Sequence, residues 1–377
     1  MHRLLAAIAI ATSALSQPVA AQRAAPSIFG LIDAAPSALQ RHDAMVAPFL
    51  AMLDQIPARL VAPDAPLVEF GFGDLAAARQ LVSASGRIPA DIAALIRAMP
   101  SADWRIDGGT ATRWRDVVGF GADDVQRLLT YTALPVTGSV MDLAPGIGAR
   151  VAPALTAQGY SLQTMDGITA LAFGEDGAMD LNARNPADPF RGRLGQSARV
   201  QVVGDRLFTG RTWALMATWA QAATAPASQD AGLQRLTQAL EGLDAGPLLR
   251  ALLFPTASRV ILRADPWQAM LLADFSTGPQ STLVVVLSLP WPAGRDIDAL
   301  TAEIADRWEN APLSGRQSLG ARLGAPAVVT GQVADGLAVV RLVITLPTSL
   351  SRNGAPSNPA FDLVYGAMLR LQMSFLP

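Results

Sequence analysis

Most enzyme mechanisms draw on histidine, cysteine or lysine, and this 377-residue chain holds two histidines and neither of the others. Without cysteine there is no disulfide, no thiol nucleophile and no thiolate metal site. All 29 basic residues are arginine, which also excludes Schiff-base chemistry and a Ser-x-x-Lys nucleophile pair. His2 belongs to the extreme N-terminus, so His42 is the one imidazole placed to act as a base near neutral pH. It sits in Gln40-Arg41-His42-Asp43, on the polar side of a short helical pattern, where a solvated histidine is expected. A two-histidine zinc site cannot form, and no motif implies a cofactor.

Two glycine motifs approach known chemistry and fall short. Gly71-Phe72-Gly73-Asp74-Leu75-Ala76 matches Gly-x-Gly-x-x-Ala at a strand-to-helix turn, but Asp74 places a carboxylate where a pyrophosphate would sit. No acidic residue ends a second strand about 20 residues on, so the expected role of Asp74 is a helix cap. Gly195-Gln196-Ser197-Ala198-Arg199 resembles a nucleophile elbow without its last glycine. Carboxylate-pair hydrolysis needs only two acids about 5 to 10 Å apart. The glutamates are Glu69, Glu175, Glu241, Glu303 and Glu309, and their spacing brings no two together; Glu303 is matched instead to Arg307 at i, i+4.

Recognition chemistry is better represented. A polar stretch from Glu175 to Arg193 carries Asp176, Asp180, Asn182, Asp188, Arg191 and Arg193. Its Asp180-x-Asn182-x-Arg184 spacing breaks the EF-hand rule, so no metal is assigned. Long polar loops are often functional, and Asp180, Asp188, Arg191 and Arg193 are expected to face a partner. The second candidate is Trp104-Arg105 with Arg113-Trp114-Arg115 around Asp107-Gly108-Gly109. A hairpin there would bring Trp104 and Trp114 together with arginines, an arrangement suited to glycan or protein recognition. Each cation–π pair would contribute about 0.5 to 1 kcal/mol at an exposed site.

These groups need a scaffold, and hydrophobic periodicity outlines one. Met45, Val46, Phe49, Leu50, Leu53 and Ile56 recur at helical spacing, with Pro48 dividing the run. A strand is expected over 66–72, followed by a helix from Asp74. Further strands are expected over 139–143, 160–165 and 168–173, the last two flanking Asp166-Gly167, the dipeptide that best suits a type I′ hairpin. A helical segment ending at Gln158 precedes that hairpin. A second hairpin spans 198–210 about Gly204-Asp205, and a helix begins at Trp213. The later half repeats this order: helices over 233–243 and 247–254, strands over 259–264, 270–275 and 282–289, and a helix capped by Asp296. An Asp335-Gly336 hairpin and a closing helix over 361–375 complete it.

The expected fold is α+β, two modules of antiparallel sheet with helices on one face, in a tandem ferredoxin-like arrangement; a single larger sheet built from both halves is the alternative. The corresponding boundaries are a signal peptide over 1–21, a lead with helices over 22–64, a first module over 65–222, a linker over 223–232 and a second module over 233–377. At about 150 residues per domain the length favours about two domains.

Arg3, the apolar run from Leu4 to Leu15 and Val19-Ala20-Ala21 have the order of a secretory signal peptide cleaved after Ala21. That run is too short to span a bilayer, and no later stretch approaches about 20 uninterrupted apolar residues. The net charge of −2 argues against nucleic acid as a partner. By elimination, the expectation is a periplasmic or secreted non-enzymatic binding or accessory protein with a protein or glycan partner in the cell envelope. A carboxylate-dependent hydrolase acting on envelope polymers is the alternative.

Overall fold

The computed structural model describes residues 45–61, 68–82, 88–99, 111–133, 136–255, 267–313, 317–351, 354–370 and 372–376. In chain order the strands are β1 (Glu69–Asp74), β2 (Val125–Ala133), β3 (Val136–Leu143), β4 (Ser161–Met165), β5 (Ile168–Phe173), β6 (Ala198–Val203) and β7 (Arg206–Gly210). They continue with β8 (Leu248–Phe254), β9 (Ala269–Ser276), β10 (Gln280–Pro290), β11 (Val328–Ala334) and β12 (Leu337–Pro347). A two-stranded ribbon joins β13 (Ser349–Leu350) to β14 (Pro356–Ser357). The helices are α1 (Ala47–Leu53), α2 (Leu75–Leu81), α3 (Ala90–Ala98), α4 (Trp114–Val118), α5 (Gly148–Ala157), α6 (Trp213–Trp219) and α7 (Ala231–Gln238), then α8 (Ile297–Asn310), α9 (Leu319–Leu323) and α10 (Pro359–Leu369).

The strands form one antiparallel sheet of twelve, in the order β11-β12-β10-β9-β8-β1-β2-β3-β7-β6-β5-β4. The expectation of two separate sheets is therefore corrected to the single-sheet alternative. The seam is β1, which pairs with β2 on one side and β8 on the other, with Phe70 opposite Leu253 and Phe72 opposite Ala251. A strand buried on both faces can accept partners on both edges, and that is what fuses the halves.

Helices cover both faces, not one. On one face a continuous core runs through Phe70, Phe72, Leu129, Tyr131, Leu253, Leu271 and Val284, covered by α1, α6 and α7. The opposite face carries two cores. One packs α2 to α5 on Leu128, Met141, Val200 and Leu207; the other packs α8 to α10 on Leu252, Leu272, Leu283 and Leu342. The helices that close the two halves lie on opposite faces of the shared sheet, α6 on the first core and α10 on the other side.

Local predictions hold where turn chemistry is explicit. Asp166 and Gly167 have φ of 51° and 79°, and Asp335 and Gly336 have 50° and 73°, the left-handed pair a type I′ turn demands. Asp74 caps α2, accepting the Ala77 amide at 2.8 Å. Glu303 pairs with Arg307 at 2.8 Å, and Asp296 caps α8. Pro48 opens α1 instead of dividing it, since a helix tolerates proline in its first turn.

Other expectations change. Residues 248–254 form β8, not a helix: an apolar run this short has no decisive period, and its place between β1 and β9 buries both its faces. β2 forms over 125–133, where the sequence pattern predicts no strand. The segment 223–232 is stitched to residues 56–58, with Ala58 N–H donating to Ala225 O at 2.7 Å, Ala227 N–H to Ile56 O at 2.6 Å, and Ala227 buried. Arg113-Trp114-Arg115 enters α4 and Trp114 packs inward, so no hairpin presents it to solvent. Trp104, His42, the signal peptide and the strand over 259–264 lie outside the described residues.

Candidate functional site

The sheet face beneath α2 to α5 turns polar at the end where β2 and β7 finish and β3 begins. There Thr130, Ser139 and Thr209 lie side by side in register, with Thr132 opposite Thr137 one step further out. These residues floor a cleft of about 90 Å³ that is also lined by Pro189, Phe190, Gln196, Arg199 and Arg211. Its hydrogen bonding is asymmetric. Thr130 Oγ1 donates to Gly71 O at 3.3 Å, while Ser139 N–H donates to Thr209 Oγ1 at 3.0 Å and the Ser139 and Thr209 hydroxyls bond each other at 2.7 Å. Two hydroxyl protons share one mutual bond, so whichever group donates, the other keeps a proton for a further acceptor.

The roof is built by the polar segment that the sequence singled out, but from the inside. Asp188 is fully buried and saturated: Oδ1 accepts the Phe190 and Arg191 amides at 2.9 and 3.2 Å, and Oδ2 accepts Arg191 Nε at 2.7 Å and Tyr160 Oη at 2.9 Å. The Arg191 guanidinium stacks 4.1 Å over the Phe173 ring. Burial pushes the Tyr160 phenol far above its ordinary range, and the Asp188 charge beside it adds to the shift. The expectation that Asp188 and Arg191 face a partner is therefore corrected: they are an internal brace. A charge taken out of water must be paired and hydrogen-bonded, and this pair is both.

Asp180 does face solvent, where it caps a short turn by accepting the Asn182 amide at 2.8 Å. Its own amide donates to Gly195 O at 2.9 Å, and Met179 bridges Gln196, so 178–182 lies beside 194–197. Gly195, at φ 60°, makes this approach feasible, because a Cβ there would stand 1.8 Å from Asp180 O. Met179 and Leu181 are 59% exposed and Leu194 is 47% exposed, an apolar trio next to the cleft-lining Gln196. Arg193 lies in the adjoining turn 192–194. Arg199 anchors the root of the segment through Phe173 O and Gly174 O at 3.0 and 3.1 Å, with Asp176 at 3.2 Å; burial lowers its pKa, as it does that of Arg211. Ser197 Oγ donates to Arg211 O at 2.9 Å and is buried, which removes the elbow serine as a nucleophile.

Sequence reasoning missed the cleft floor. Its signal is present, hydroxyl residues at alternate positions of β2 and β3 and at Thr209 of β7, but it emerges only when the three strands are aligned. A second charged cluster was also missed. Asp274, fully buried, is held by Arg97 in a two-pronged ion pair, by Arg250 at 3.3 Å and by Asn358 Nδ2 at 2.8 Å. It ties α3 and the start of α10 to β9 where the two helix layers meet.

No acidic side chain lines the cleft, and among the described residues no group of three or more His, Asp or Glu could hold a metal ion. Among the same residues no helix is long and apolar enough to cross a membrane.

No family model matches the chain, and no curated protein matches it. Among solved structures, crystal form III of TP0453 is similar at 10% identity and a TM-score of 0.38, covering 77% of this chain and 94% of that one. Crystal form IV gives 8%, 0.39, 83% and 96%. Likeness at this level carries no functional argument.

Proposed function

We propose that the chain is an exported, non-enzymatic binding or accessory protein that recognises a polypeptide partner at the sheet end where 178–182 lies beside 194–197. The observation that carries this reading is the exposure of Met179, Leu181 and Leu194 next to a cleft of hydrogen-bond donors, on a segment stiffened from within by Asp188. Apolar side chains beside oriented polar groups are how protein interfaces are composed, and a rigid support limits the ordering cost of binding. A polypeptide is favoured by the exposed aliphatic side chains of Met179, Leu181 and Leu194, while Trp114, the described member of the Trp–Arg candidate, is buried. Carboxylate-dependent hydrolysis finds no support in a cleft without an acid.

The test is position-resolved cross-linking in the native host. A photo-reactive residue at Leu181 or Leu194 should give a discrete adduct, and the same residue at exposed Val333 on β11 should not. Equal labelling at all three positions, or none at Leu181 and Leu194, would overturn the proposal.

A further inference from the structure

The sheet ends at β4 on an open edge. Among the described residues β4 pairs with β5 alone, in an unbroken register from Ser161 opposite Ala172 to Met165 opposite Ile168. All of its residues are exposed, Leu162 by 71%. Sheet edges are ordinarily blunted by a charge, a proline or a bulge, and Ser161-Leu162-Gln163-Thr164-Met165 has none of these. The other edge, β11, differs: Gly331 weakens its middle, and Arg235 of α7 donates to Ala334 O at 2.9 Å at its end. The Asp166-Gly167 turn fixes which backbone groups of β4 are free. Residues that flank a two-residue turn exchange both backbone hydrogen bonds, so Met165, Gln163 and Ser161 aim theirs at β5. Alternation leaves the N–H and C=O of Leu162 and Thr164 pointing outward.

We propose that β4 pairs antiparallel with β4 of a second copy of this chain, across a two-fold axis at Gln163, joining two twelve-stranded sheets edge to edge. This stands apart from the partner-binding reading above. In that register Leu162 lies opposite Thr164 of the second copy and Ser161 opposite Met165, so every outward donor of one strand meets an outward acceptor of the other. A second copy is favoured because the strand is self-complementary. It carries no charge, so no like charges oppose each other, and the register centred on Gln163 leaves no outward group unpaired. The two exposed Leu162 side chains take diagonal places about 7 to 8 Å apart on one face, within reach of each other. β4 offers 5 residues where a stable interface uses about 20 to 30 a side, so the dimer is expected to be weak and concentration-dependent.

The chain lacks cysteine, so single introduced cysteines report the register. Across the two-fold axis Gln163 faces its own equivalent at a Cα separation of about 4.5 Å, inside the roughly 4.4 to 6.8 Å that a disulfide spans. Met165 stands four positions from its equivalent, roughly 14 Å along the strand. Gln163→Cys is therefore expected to give a disulfide-linked dimer on mild oxidation, and Met165→Cys at least tenfold less of it. Sedimentation of the purified chain should show a reversible monomer–dimer equilibrium with a Kd between about 10 μM and 1 mM. Leu162→Arg sets two cations diagonally together and Thr164→Pro removes an outward N–H, so each should weaken the dimer at least tenfold, with near-ultraviolet circular dichroism reporting retention of the fold. Val333→Arg on β11 should leave it unchanged. A monomer throughout that range, a dimer that survives both β4 substitutions, or equal cross-linking at the two cysteines would overturn the proposal. Species larger than a dimer that vanish with Val333→Arg would assign the contact to β4 against β11 and overturn the two-fold pairing.

Discussion

Asp188 Oδ2 and Arg191 Nε lie 2.7 Å apart, three residues from each other, and neither side chain is more than 7% exposed. The pair turns a polar stretch of sequence into the rigid roof of a cleft. Removing one partner would leave the other charge buried and alone, which costs about 3 to 5 kcal/mol. Arg191→Ala is thus expected to lower the urea unfolding midpoint strongly, while Asp180→Ala, at an exposed cap, should cost about 0.5 to 1 kcal/mol. Similar midpoints for the two variants would show that the brace is not structural.

Asp274 is expected to be the most sensitive carboxylate described. Its replacement by Ala leaves Arg97, buried on α3, without its two-pronged partner and removes a contact of Arg250 and Asn358 together. A loss of about 3 to 5 kcal/mol should follow. Replacement by Asn should cost less, because the amide can still accept from Asn358 and one arginine. Chemical denaturation of both variants decides this: an Ala variant no less stable than the Asn variant would remove the argument.

Asp205 gives a pH dependence. Its carboxylate accepts the amides of Gly148 and Gly146 at 2.8 and 2.9 Å, and these bonds hold its pKa below the ordinary aspartate range. A depressed folded-state pKa stabilises the protein above the unfolded value, and the contribution is lost as pH falls through the folded one. The stability difference between the native chain and Asp205→Asn should therefore be largest above about pH 5 and close as the solution is acidified. A difference independent of pH would contradict the assignment.

Export rests on the N-terminal pattern. Protein recovered from the envelope fraction of its host is expected to begin at Gln22, read by terminal sequencing. Full-length protein confined to the cytoplasm would remove the basis for a partner in the envelope.

What the sequence determined by itself is local. Asp-Gly pairs dictate their hairpins because only a few residues tolerate φ > 0 at adjacent positions, and Asp74 and Asp296 dictate helix starts because a short acidic side chain satisfies otherwise unpaired amides. Missing residue types are equally legible, since chemistry that needs cysteine or lysine cannot be supplied by folding. Tertiary structure decided the rest. An apolar run such as 248–254 has no preferred period until neighbours bury both faces, and β8 then joins two halves that local pattern kept apart. The polar residues of 175–193 share one composition but not one fate: Asp180 stays in water, whereas Asp188 and Arg191 go inside because each meets the other's charge. The cleft floor depends on register, since Thr130, Ser139 and Thr209 become neighbours only through strand pairing across nearly eighty residues of chain, and no spacing in the sequence encodes that contact.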